Sequence, residues 1–169
     1  MEQTSAVVDR AGRATRLAPP RLGSRVLRRA RLQEAIATGR SRRLSIVSAG
    51  AGFGKTTLVA SAVEDLDEPV AWLTCDAGID TPALLGRHLL AAIARSVAGF
   101  GAGTDVGADP EAVVSAIVNE LALVGPERMV MVLDDVHALS GATAQIPLQL
   151  ARRLPEDVQL ILISRQRAS

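Results

Sequence analysis

The stretch Ala49-Gly50-Ala51-Gly52-Phe53-Gly54-Lys55-Thr56-Thr57 constrains this chain more than any other. Three alternating glycines destabilise the interior of a helix or a strand, so the stretch reads as a turn. An apolar strand, Leu44–Ser48, runs into it, and a helical run from Lys55 to about Glu64 leaves it. The same alternation recurs downstream. Val70–Thr74, Met129–Leu133 and Val158–Ile163 are short apolar runs of strand character. Thr81-Pro82 opens a helix to about Ala98, and Asp109-Pro110 opens one to about Val124, each as a cap followed by a first-turn proline. Thr143–Arg153 is a further helix, bent at Pro147, and Arg25–Thr38 is an earlier one ending near Gly39. Strands that are apolar on both faces and alternate with helices make an α/β fold with a parallel sheet between helical layers. The Gly99–Ala108 segment follows a helix and is a flexible connector.

The turn has the chemistry of a phosphate cradle. The pattern G-x-x-x-x-G-K-[ST] between a strand and a helix is matched by Gly54, Lys55 and Thr56, with Ala49 in place of the first glycine. Gly50, Gly52 and Gly54, with Ala51 and Phe53 between them, let backbone N–H groups close around a triphosphate. The helix that begins there turns its positive end toward the same anion, which Thr57 also borders. Lys55 supplies a compact charge to the outer phosphates, and the Thr56 hydroxyl suits Mg²⁺. Of 19 basic residues, 18 are Arg, and the one Lys is Lys55. An ordinary glycine-rich turn would not account for that placement. ATP or ADP with Mg²⁺ is the expected ligand.

The third strand runs into Asp134-Asp135. Ligands bind at the carboxyl edge of parallel sheets, so both acids belong on the ligand side. Asp134 is expected to hold the Mg²⁺ shell, and Asp135 to orient or deprotonate a water for attack on the γ-phosphate. The fourth strand ends in Ser164-Arg165, where a cation would sense that phosphate or stabilise transition-state charge. Asp76, past the second strand, is a weaker candidate near the attacking water. His137 reads as a loop-stabilising residue, and His88, Trp72 and Cys75 as structural ones.

Charge and composition narrow the rest. The chain has 169 residues, of which 48% are apolar and 22% charged, a mix suited to one folded domain. Aromatics make up 2%, too few for a stacking platform for single-stranded nucleic acid. One cysteine excludes an internal disulfide and a Cys-based zinc site. Residues 1–43 hold eleven Arg against Glu2, Asp9 and Glu34, whereas the remainder is net acidic. Residues 1–24 are expected to be a flexible basic leader, with Pro19-Pro20 excluding helix, and residues 25–169 the folded domain. The basic arm implies at most weak, salt-sensitive DNA binding, because no helix-turn-helix accompanies it. No secretory signal and no run of about 18 apolar residues is visible, so a cytoplasmic location without membrane contact is expected.

Several of these residues together resemble the ATPase domain of large LuxR-type transcriptional regulators of the maltose-regulon-activator type, in the STAND class of signal-transduction ATPases related to AAA+ proteins. The resemblance rests on Pro19-Pro20-Arg21 with Val26, Arg28 and Leu32, and on Ser48–Thr57, where Ala49 is usual for the family. It continues through Val70-Ala71-Trp72-Leu73 with Asp76, Val132–His137 and Leu162-Ile163-Ser164-Arg165, covering roughly residues 17–167. It implies a P-loop NTPase three-layer sandwich of the AAA+ kind. It further implies a fifth strand beside the first, and sensor and DNA-binding regions, none of which is in this sequence. Leu44–Ser48 would then be an exposed edge open to self-association or to a missing portion of a longer protein. The expected function is a switch domain that binds ATP and hydrolyses it slowly. The alternatives are a nucleotide-binding module without useful hydrolysis and a small P-loop kinase, which needs an Arg-rich lid that Arg152 and Arg153 could be misread as.

Overall fold

The computed structural model describes residues 16–23, 29–38 and 42–165. Four strands rich in Val, Ile and Leu form one sheet: β1 (Leu44–Ser48), β2 (Val70–Thr74), β3 (Met129–Asp134) and β4 (Val158–Ser164). All pairings are parallel, in the order β1-β4-β3-β2. The helices are α1 (Ala30–Thr38), α2 (Lys55–Val63), α3 (Pro82–Ala94), α4 (Pro110–Val124) and α5 (Ile146–Arg153). The α/β class, the parallel sheet and its two helical layers are as expected.

Side chains alternate across each strand, so the two faces build separate cores. Ala71, Leu73, Met131, Leu133, Leu160 and Leu162 face α3, α4 and α5, where they meet Leu85, Leu89, Ile117 and Leu150. Trp72, Val130, Val132, Ile161 and Ile163 face α2, where they meet Val59, Ala60 and Val63. Both expected caps form. The Thr81 hydroxyl oxygen accepts from the Leu84 N–H and the Asp109 carboxylate from the Ala112 N–H, with Pro82 and Pro110 in the first turns. Arg153 ties α5 to α4 through Glu111 and the Ser115 hydroxyl.

Two helix boundaries differ from the expectations. Helix α3 stops at Ala94 rather than Ala98, where the Ser96 hydroxyl donates to the Ile93 carbonyl and Gly99 takes a positive φ. Thr143–Gln145 is a separate 3-10 turn, and α5 starts at Ile146. Pro147 therefore lies in the first turn of α5 and bends nothing, since its missing N–H would be unpaired there in any case. Strand β1, whose composition reads as buried, is an edge with Ile46 46% exposed. Its partner β4 covers one side, and among the described residues no strand covers the other.

The earlier segments divide. Residues 1–15 of the expected leader and the first turns of the expected Arg25–Thr38 helix lie outside the described residues, and Ala30–Thr38 is helical. Residues 17–23 form neither helix nor strand, but they are not a free leader. Leu17 packs against the α3–α5 core, and Leu22 packs against the α2 core on the opposite face.

Candidate functional site

Because every strand points the same way, Ser48, Thr74, Asp134 and Ser164 end on one edge of the sheet. The loop from Ala49 to Gly54 leaves β1 there and enters α2. Gly54 caps α2 at φ +73°, a left-handed conformation that side chains other than glycine resist. This turn sets Lys55 and Thr56 in the first turn of the helix. The Lys55 Nζ donates to the carbonyls of Ala49 and Gly50, both at 2.8 Å, so the ammonium lies inside the loop. Phe53 projects outward and is 65% exposed.

The hydroxyl of Thr56 donates to Asp134 Oδ1 at 3.2 Å, joining α2 to the end of β3. Asp134 is buried. Burial pushes its carboxyl above the ordinary carboxylate range, and the charge of Asp135 pushes the same way. The Thr56 hydroxyl, the Asp135 backbone and the Lys55 ammonium pull it down. A buried carboxylate beside a hydroxyl offers the oxygen ligands that a hard cation takes, and the Lys55 ammonium is not one of them.

Asp135 is the one non-glycine residue with positive φ among the described residues, at +56°. Such a conformation carries strain of roughly 1–3 kcal/mol and is more common at functional positions. The Asp135 carboxylate lies beside two nitrogen-bearing side chains. Arg165 Nε lies 3.4 Å from Asp135 Oδ1, and His137 Nδ1 lies 3.6 Å from the same oxygen. Arg165 and Asp135 are thus brought together, whereas sequence reasoning had placed Arg165 on the phosphate alone.

Asp76 is committed elsewhere. Its Oδ1 accepts from the Gly78 N–H at 2.8 Å, and its Oδ2 lies 2.7 Å from Arg16 Nη2. Arg16 is the residue that sequence reasoning missed at this edge. Its partner is 60 positions away, and the local pattern around it shows only a basic, proline-rich segment. Cys75 is buried, and burial followed by the charges of Asp134, Asp76 and Asp135 pushes its thiol up to about 12. His88 is buried in α3, and Trp72 lies in the core with its indole N–H on the Thr74 hydroxyl at 3.1 Å.

A model of the AAA ATPase domain matches residues 24–163. The chain belongs to this family. The HTH-type transcriptional regulator MalT of Cronobacter sakazakii is 28% identical over 153 residues, which are 87% of this chain and 17% of MalT. The serine/threonine-protein kinase PknK of Mycobacterium tuberculosis is 30% identical over 168 residues, 92% of this chain and 15% of PknK. The chain thus spans about a sixth of the length of these curated relatives. A chain from the structure of Drosophila ORC bound to DNA aligns with a TM-score of 0.46 at 15% identity, covering 81% of this chain and 79% of that one. No helix among the described residues is long and apolar enough to cross a membrane.

Proposed function

We propose that this AAA ATPase domain binds ATP with Mg²⁺ on Gly50–Thr57 and hydrolyses it slowly, as the nucleotide switch of a longer signalling or regulatory protein. The observation that carries the reading is the Thr56–Asp134 hydrogen bond beside the loop-held Lys55. It unites a phosphate cradle and a metal-binding pair at one strand edge. Backbone N–H groups of Gly50, Ala51, Gly52, Phe53 and Gly54 would surround the phosphates, with the first turn of α2 behind them. Lys55 would exchange its two carbonyl partners for phosphate oxygens, a stronger charge-assisted contact. Thr56 and Asp134 would hold Mg²⁺, which when bound supplies positive charge to the phosphate oxygens. Asp135 would take a proton from the attacking water, and Arg165 would stabilise charge developing on the transferred phosphoryl group.

The second reading, binding without useful hydrolysis, is favoured by one contact. Arg165 engages the carboxylate that would act as base. With one oxygen facing Arg165, Asp135 is not free to receive the attacking water until Arg165 turns to a phosphate. No observation favours the kinase reading, and of its two arginines Arg153 is engaged by Glu111 and Ser115.

Calorimetry with Mg-ATP and a phosphate-release assay separate these readings. Lys55→Ala should weaken binding at least about 100-fold, the loss expected when a charged contact is removed from an anion site. Asp135→Asn should retain binding and lose turnover. Wild-type binding without turnover selects the second reading, and absence of wild-type binding sinks both.

A further inference from the structure

The segment 16–23 runs from one helical layer to the other, starting just past the carboxyl end of β2. Leu17 is anchored on one face and Leu22 on the other. The crossing residues between them, Pro19, Pro20 and Arg21, are exposed. Two consecutive prolines fix φ and keep the crossing extended, so it moves as a stiff strap. At its near end Arg16 meets Asp76, two residues beyond β2. Asp76 is already oriented for this contact by the Gly78 N–H on its other oxygen.

The strap end also lies beside the acidic strand end. The Cys75 N–H donates to the Asp134 carbonyl at 2.8 Å, which places Asp76 one residue from the chain segment that carries the metal-binding pair. The Cys75 thiol feels the charges of Asp134, Asp76 and Asp135 together. Arg16 therefore neutralises one of three carboxylates that converge on this edge.

We propose that the Arg16–Asp76 ion pair is a latch that holds residues 16–23 closed across the carboxyl end of β2, and that its opening sets the rate of nucleotide exchange. The exchange part rests on the proposed nucleotide site. The closure part rests on the contacts alone. Each partner keeps more than a third of its side-chain surface, so the latch is weak enough to open without unfolding. The leucine anchors return the strap to its place afterward.

The test uses the full chain, a fluorescent ATP analogue with Mg²⁺, and the variants Arg16→Ala, Asp76→Asn, the double variant and Arg16→Lys. Asp76→Asn keeps an acceptor for the Gly78 N–H and removes the charge. Stopped-flow release and the rate of trypsin cleavage at Arg21–Leu22 are measured on each. Both single variants should accelerate both rates by about two- to fivefold, the effect of losing a partly exposed ion pair. The double variant should be no faster than either single one, and Arg16→Lys should restore much of the wild-type rate. Raising salt from about 0.05 to about 0.5 M should speed release more from the wild type than from Arg16→Ala, in which only the nucleotide's own ionic contacts remain to be screened. Unchanged release in the single variants, or additive effects in the double one, would overturn the latch as an exchange gate. If the wild type fails to bind the analogue, the proposed function falls and the exchange gate with it. Cleavage at Arg21 then decides the closure, and equal cleavage in all variants overturns that too.

Discussion

The two edge strands of the sheet are both five residues long and mostly apolar, yet they live in opposite environments. In β2, Ala71, Trp72 and Leu73 are essentially inaccessible. In β1, Ile46 is nearly half exposed and Ser48 is open to solvent. The difference lies in what crosses each strand. Helices α2 and α3 cover the two faces of β2, and the strap passes its end. Beside β1 lies an open groove of about 740 Å³, lined by Arg29, Leu32, Ile36, Arg42, Phe53 and Leu58. Burial of an edge strand is thus set by distant segments rather than by its own residues. Strand β1 also feeds the phosphate loop, whose function requires access. Among the described residues no strand lies on the outer side of β1, where a further strand or another chain could pair.

This contrast can be broken or sharpened by substitution. The largest effect is expected at β2. Trp72→Ala should cost about 3–5 kcal/mol in urea unfolding, because it empties a site filled from both β2 and α2. A loss below about 1 kcal/mol would mean that the covered edge is no better packed than the open one.

A smaller change of opposite sign is expected at Asp134, between the two edges. Its pKa is raised in the folded state, so the folded chain binds more protons than the unfolded chain between the two pKa values. The carboxylate then destabilises the fold increasingly as pH rises through that window, and not at all below it. Asp134→Asn should raise the thermal midpoint at pH 7, with the gain shrinking as pH falls toward the ordinary carboxylate range. A lower midpoint for Asp134→Asn at pH 7 would show that the charge itself is needed for folding.

The smallest effect on stability is expected at the open edge. Ile46→Lys should change stability by less than about 0.5 kcal/mol and reduce self-association in sedimentation. A cost as large as that of Trp72→Ala would mean that β1 is covered in solution.

Much of this architecture was legible in the sequence because its signals are local. Thr81-Pro82 and Asp109-Pro110 announce helix starts by chemistry within four residues, and both caps form. The strands reveal themselves by continuous apolar composition, and Gly54-Lys55-Thr56 by spacing. What was hidden depends on segments far apart in the chain. The exposure of β1 is not written in its own apolar run, which reads as buried, and was expected only from the strand order that the family resemblance implies. The Arg16–Asp76 and Arg165–Asp135 contacts join charges without any sequence pattern. Pro147 misled for a different reason. A proline disrupts a helix interior but suits a first turn, and the preceding 3-10 turn moved the helix start to Ile146.

The strand order also carries a consequence for the timing of synthesis. Leu44 lies beside Leu160, so of the four described strands the first made is paired with the last made. At about 5–20 residues per second, a ribosome needs on the order of 6–20 s to produce the intervening chain. Throughout that interval the phosphate loop hangs from a strand with no neighbour. Its ability to grip an anion would therefore arrive late and all at once, making nucleotide capture a report that the whole sheet has closed.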